Sequence, residues 1–173
     1  PAAAVNDLRR RLITGLKDER AALPERRSLP LPLRPEGKRY YADPVLIVQV
    51  HQAEQLTPEL AQLCPAYVYV PVEILDTAFP RVAPFLEQGA QVVAVLPRVI
   101  TDDQAEDMHA MLSRAAENGV REALVGNMGH IFFARRAGMR VRGDFGLNVF
   151  NSFTEGVLQQ AGLVSATASF ELR

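Results

Sequence analysis

AYVYVPVEILDTAFPRVAPFLEQGAQVVAVLP, Ala66 to Pro97, holds two short β-branched runs, AYVYV (Ala66 to Val70) and QVVAVLP (Gln91 to Pro97), on either side of a helical stretch. Apolar runs of this length bounded by Gly or Pro read as strands buried on both faces, as in a parallel sheet covered by helices. The unit recurs. VLIVQV (Val45 to Val50) precedes it; EALVG (Glu122 to Gly126), MRVRGDFGLN (Met139 to Asn148) and VSATASFEL (Val164 to Leu172) follow it. Successive strands start roughly 20 to 30 residues apart, close to the ~30 per βα unit of an eight-fold barrel. The expected fold is α/β: an incomplete TIM-type (β/α) barrel with six parallel strands in sequence order.

Helix ends support the alternation. Thr57 precedes Pro58 at a first helical position, Thr101 with Gln104 and Ser152 with Glu155 have capping-box spacing, and Gly119, Gly138 and Gly162 stand where left-handed C-terminal caps belong. An open doubly wound sheet would give the same alternation, and the pattern alone does not separate the two. No GxGxxG follows the first strand and no GxxxxGK[ST] occurs, which removes the usual nucleotide-binding versions of that alternative.

Two segments precede the barrel portion, which spans 45–173. Residues 1–22 read as an amphipathic helical arm with Asn6 as its cap, and Leu8, Leu12 and Leu16 on one face. That face packs on the main domain, or the arm contacts RNA through Arg9 to Arg11. Residues 23–44, punctuated by Pro24, Pro30, Pro32, Pro35 and Pro44, read as a linker that cannot propagate a helix.

Composition narrows the chemistry. The chain has 173 residues, enough to bury roughly 70% of its unfolded surface. A net charge of -1 gives no global pull toward nucleic acid or membrane. The lysines are Lys17 and Lys38, so nothing in the barrel portion could form a Schiff base with a carbonyl substrate or pyridoxal phosphate. Cys64 stands alone, excluding an internal disulfide framework and a closed thiolate metal site, and a reducing cytoplasm fits best. No apolar run approaches the roughly 18 residues of a membrane span, and PAAAVNDLRRR lacks a signal-peptide core. A start at Pro1 and a stop at Arg173 straight after a strand suggest a piece of a longer polypeptide, trimmed or deliberately bounded.

In either parallel architecture function gathers at the carboxyl ends of the strands. In order, those ends carry Gln49 and His51, Tyr69 and Glu73, Arg98, Asn127 and His130, Asp144, Asn148 and Asn151, and Glu171. Asp144, Asn148, Asn151, His130 and Glu171 are the catalytic candidates; Asn127, Arg98, His51 and Gln49 are the substrate-binding ones. Each has a plainer reading, because strand ends meet solvent and loops are polar. Asn127 reads equally as a helix N-cap, and its helix start as a holder of phosphate or carboxylate. His130 has no second His at i+4 for a zinc pair, so no metal ligand set is assigned. Ser152 reads as a cap with Glu155, since no GxSxG surrounds it. Asp144 lies in an otherwise apolar strand region and needs donors, which Arg140 or Arg142 could supply.

RGDFGLNVFNS (Arg142 to Ser152), with GNMGH (Gly126 to His130) before it and SFELR (Ser169 to Arg173) after it, resembles the collagenase-like peptidases, peptidase family U-32. The likeness extends to VNDLRRRLITGL (Val5 to Leu16), which is similar to the segment leading into the C-terminal half of large members. It covers most of the chain. The resemblance implies a segment of the catalytic barrel of a family protease, inactive as an isolated fragment. It equally implies part of an oxygen-independent hydroxylase of RNA bases or a quinone precursor. Those hydroxylases hold an iron-sulfur cluster on cysteines after the SFEL-like strand, positions this chain does not include. Cys64 matches none of them, so no cofactor is expected within the chain. No Ser-His-Asp, Cys-His or metal-protease set can be assembled from these residues. A non-catalytic binding or assembly module is the third reading. The expected partners are the remainder of the same polypeptide and an RNA or peptide substrate. No membrane partner is expected. Two open sheet edges imply self-association unless residues 23 to 44 cover one.

Overall fold

The computed structural model describes residues 2–23 and 43–172. The chain divides into two units, Pro1–Leu33 and Arg34–Arg173. In the first, the helix α1 (Ala2–Ala21) contains Leu8, Leu12 and Leu16 at four-residue spacing, and none of its residues is buried. It begins at Ala2, so Asn6 lies inside the helix and does not cap it. The expected linker falls largely on residues outside those described, as does any covering of a sheet edge by residues 23 to 44.

The second unit is built on β1 (Ile47–Gln49), β2 (Tyr67–Pro71), β3 (Gln91–Val95), β4 (Glu122–Val125), β5 (Arg140–Gly143) and β6 (Leu163–Ala166). All pairings are parallel and the strand order is the sequence order, giving a six-stranded half-barrel sheet. A doubly wound sheet would reverse its order, and this one does not. Between the strands lie α2 (Pro58–Gln62), α3 (Val72–Thr77), α4 (Phe79–Glu87), α5 (Ala105–Glu117), α6 (His130–Arg136) and α7 (Ser152–Gln160). No described helix is long and apolar enough to cross a membrane.

Alternation along the strands sorts the side chains. Val68, Val70, Val92, Ala94, Ala123, Val125 and Val141 point to the helices and join Leu75, Val82, Phe85, Met108, Leu112 and Leu158 in one core. At roughly 25 cal/mol per Å² of apolar surface removed from water, this burial is the main term holding the helices on the sheet. Their neighbours in sequence, Tyr67, Tyr69, Val93, Glu122, Leu124, Arg140 and Arg142, face the other way. Strands expected to be apolar on both faces therefore carry a polar second face at β4 and β5, because a half-barrel covers with helices only its outer side.

Helix ends follow their local chemistry. Thr57 Oγ1 accepts from the Leu60 N–H at 3.2 Å, and Gln104 Oε1 accepts from the Thr101 N–H at 3.1 Å. At α7 the cap is Asn151, whose Oδ1 accepts from the N–H groups of Phe153 (3.0 Å) and Thr154 (2.9 Å). Ser152 is the first helical residue and does not cap. Gly162 holds φ +78 at the end of α7, and a Cβ there would run into the Arg135 guanidinium, which donates to the Ala161 carbonyl. The last strand is shorter than expected. It ends at Ala166, one further bridge joins Val149 to Ala168, and residues 169–172 belong to no strand.

Candidate functional site

The exits of β4 and β5 are laced together. The Asp144 N–H donates to the Val125 carbonyl at 2.8 Å. Gly146 crosses so close to the Gly126 backbone that a Cβ would lie 2.7 Å from the Gly126 carbonyl oxygen, which is why no larger residue fits there. The chain after β5 makes a short 3-10 turn, Phe145–Leu147, and Asn148 closes it in the left-handed region with φ 51 and ψ 56. An Asn tolerates that conformation where a branched residue would not.

Asp144 is half-buried; its Oδ1 accepts from the Phe145 N–H at 2.8 Å, capping the 3-10 turn. Neither Arg140 nor Arg142 serves it, because both are held by Glu122. Asn148 and Asn151 are exposed, and Asn151 is committed to the start of α7. Asn127 is exposed too; its Oδ1 accepts from the Gly129 N–H at 2.9 Å in the turn before α6, so it shapes that turn and is not the residue next to the helix. Gln49 and His51 are exposed at the end of β1, where the His51 N–H donates to Gln55 Oε1 at 2.7 Å. Glu171 is exposed beyond the last bridge, and Glu73 is exposed on α3.

His130 is 4% exposed, the first residue of α6, with its ring edge toward Phe133 at 6.2 Å between centroids. Its Nδ1 has no hydrogen-bond partner. Burial holds the imidazole below the ordinary histidine value. Folding therefore favours the neutral ring. Above about pH 6.5 folded and unfolded chains both carry it neutral; as pH falls through about 6.5 the unfolded chain binds a proton that the folded state resists, and stability drops toward the folded pKa. Urea midpoints measured between pH 8 and 5 should fall more steeply in the parent than in His130→Phe.

Arg98, at the end of β3, is exposed and lies with its guanidinium carbon 4.6 Å from the centre of the Phe145 ring. Phe170 stacks on Phe145 at 4.8 Å with a 31° tilt, yet remains 77% exposed. A cation and two rings thus form a stack at the carboxyl ends of β3, β5 and β6. Sequence reading found Arg98 but missed both rings, since Phe in an apolar run reads as core.

On the sheet face turned away from the helices, Glu122 is 2% exposed and bridges two guanidiniums: Arg140 at 2.5 Å and, through Nε, Arg142. Arg142 also donates to Ser165 Oγ at 2.9 Å and lies 4.4 Å from the centre of the Tyr67 ring. Burial raises the Tyr69 phenol above its ordinary range; Arg142 opposes that shift, while Glu122, Tyr67 and Asp144 reinforce it. The register that sets Glu122 opposite Arg140 and Leu124 opposite Arg142 builds this cluster, and only the pairing of distant runs could have revealed it.

The fit of a metal group can be judged on donors. Among the described residues no three of His, Cys, Asp and Glu gather round a common point. Cys64, the one cysteine, is exposed on the α2–β2 loop with φ 48, its thiol directed to the Gln62 carbonyl at 3.6 Å. These residues do not form a cluster site. No family model, no curated protein and no solved structure matches this chain.

Proposed function

We propose that this chain is a segment of the catalytic barrel of an enzyme like the collagenase-like peptidases, with its reacting groups at the carboxyl ends of β3 to β6. Six parallel strands in sequence order support that reading. So does the placement of the two most family-like stretches, GNMGH and GDFGLNVFNS, on adjacent strand exits tied by the bond from Asp144 to Val125. Its partners are the remainder of the same polypeptide and the substrate, with β1 and β6 as the edge strands of the sheet among the described residues. The isolated segment is inactive.

Within that reading the geometry favours chemistry on a planar aromatic ring, as in oxygen-independent hydroxylation of an RNA base or a quinone precursor, over peptide cleavage. The observation that carries it is the stack of Arg98, Phe145 and exposed Phe170, which offers a free ring face at the rim. Base-on-aromatic stacking contributes ~1–3 kcal/mol per base. For cleavage, by contrast, no described serine or cysteine side chain hydrogen-bonds to a histidine ring. In the hydroxylase reading an iron-sulfur cluster, held by residues outside this chain, supplies the redox chemistry.

In the full-length protein, Phe170→Ala is expected to lower hydroxylated-base content in RNA by roughly tenfold or more. Asp144→Asn and Asn148→Gly, which keeps the left-handed turn accessible, should also lower it, with unfolding midpoints near the parent's. Loss of peptide cleavage with hydroxylation intact would instead support the peptidase, and loss of neither would support a non-catalytic binding module.

A further inference from the structure

On the outer, helix-bearing side of the sheet, α2 and α4 enclose a cleft of about 480 Å³. Its deepest lining is apolar and almost fully buried: Leu56, Ala61 and Phe85 are 5%, 4% and 2% exposed. Pro58 and Pro84 form its apolar walls, and Gln62 and Gln88 stand on its rim. Arg81 is the one charged residue in the lining. It is exposed, its Nη1 donates to the Ala53 carbonyl at 3.4 Å, and no carboxylate pairs with it among the described residues. The remaining guanidinium donors are uncommitted at the mouth of an apolar slot.

We propose that this cleft binds an amphiphilic monocarboxylate, its apolar chain lying on Phe85 and Leu56 and its carboxylate paired with Arg81. The size falls within the range of small-molecule sites, which combine a mostly apolar lining with a few polar groups that fix orientation. Charge selects the class. A cationic amphiphile would meet Arg81 with no counter-charge in the lining, and a neutral one would forgo the charge-assisted hydrogen bond that a fork-shaped guanidinium offers a carboxylate.

The test uses the whole chain with decanoate as probe, decanol and decylamine as comparators, all below their micelle-forming concentrations, and binding read by titration calorimetry and by chemical-shift changes around α2 and α4. Decanoate is expected to bind at least about tenfold tighter than decanol, and decylamine weakest. Arg81→Gln should remove the preference for decanoate and leave decanol binding unchanged. Gln88→Trp, a rim substitution that leaves the core intact, should block both ligands while circular dichroism stays parental. Equal binding of decanoate and decanol, decanoate binding that survives Gln88→Trp, or shifts confined to other helices would overturn the proposal, as would no binding at all.

Discussion

Glu122→Ala is expected to lower the stability of the domain by about 3 to 5 kcal/mol, the range for removing one partner of a buried ion pair. The carboxylate is nearly inaccessible and both its oxygens are engaged, one by each guanidinium. Arg140 is largely exposed and can turn to water when the carboxylate is lost. Arg142 cannot do so readily, because its side chain is 14% exposed and held by Ser165 and the Tyr67 ring. Its uncompensated charge accounts for most of the loss. Urea unfolding of Glu122→Ala, Arg142→Met and the double variant separates the pair from its surroundings. The double variant should be more stable than Glu122→Ala, since it leaves no buried charge without a partner. A Glu122→Ala midpoint within error of the parent would show that the network contributes nothing.

Phe85→Ala should be of similar size, about 3 to 5 kcal/mol, through a different mechanism. The ring is 2% exposed in the central core, where α4 meets the sheet, and it also floors the cleft against α2. Truncation removes apolar contact on both sides and leaves a void that opens toward the cleft. For a domain of this size the melting temperature should fall on the order of 10 °C. Phe85→Leu should cost markedly less. A fall of only a degree or two in Phe85→Ala would mean that α4 collapses onto the sheet and fills the space.

The strands were legible because β-branched runs between Gly or Pro have few other uses in a chain with helical spacers. Their order was less so, since a doubly wound sheet shares the same alternation and the same short right-handed connections. The ends of β5 and β6 were less legible. MRVRGDFGLN read as one strand to Asn148, yet pairing stops at Gly143 and a 3-10 turn intervenes. A period-two pattern cannot announce where a ladder opens. Arg140 and Arg142 were visible as charges in a strand, but Asp144 is near in sequence and Glu122 is near in space. Register, a property of two runs at once, decided between them. Asn151 and Ser152 stand side by side, and the helix starts one residue earlier than the capping-box spacing of Ser152 implied, which makes Asn151 the cap.

The segment from Asp144 to Asn148 is an arch with both feet set in the sheet. One foot is the ladder that ends at Gly143 with Ala166, tied further by the Thr167 N–H to the Gly143 carbonyl at 2.8 Å. The other is the bridge of Val149 with Ala168, where the Ser169 N–H donates to the Val149 carbonyl at 3.0 Å. Asn148, in its left-handed conformation, is the keystone that lets the span come down on the second foot. Phe145 sits at the crown, so its ring takes its orientation from the sheet, and a ligand arriving at the rim meets a surface whose ordering cost was met when the domain folded.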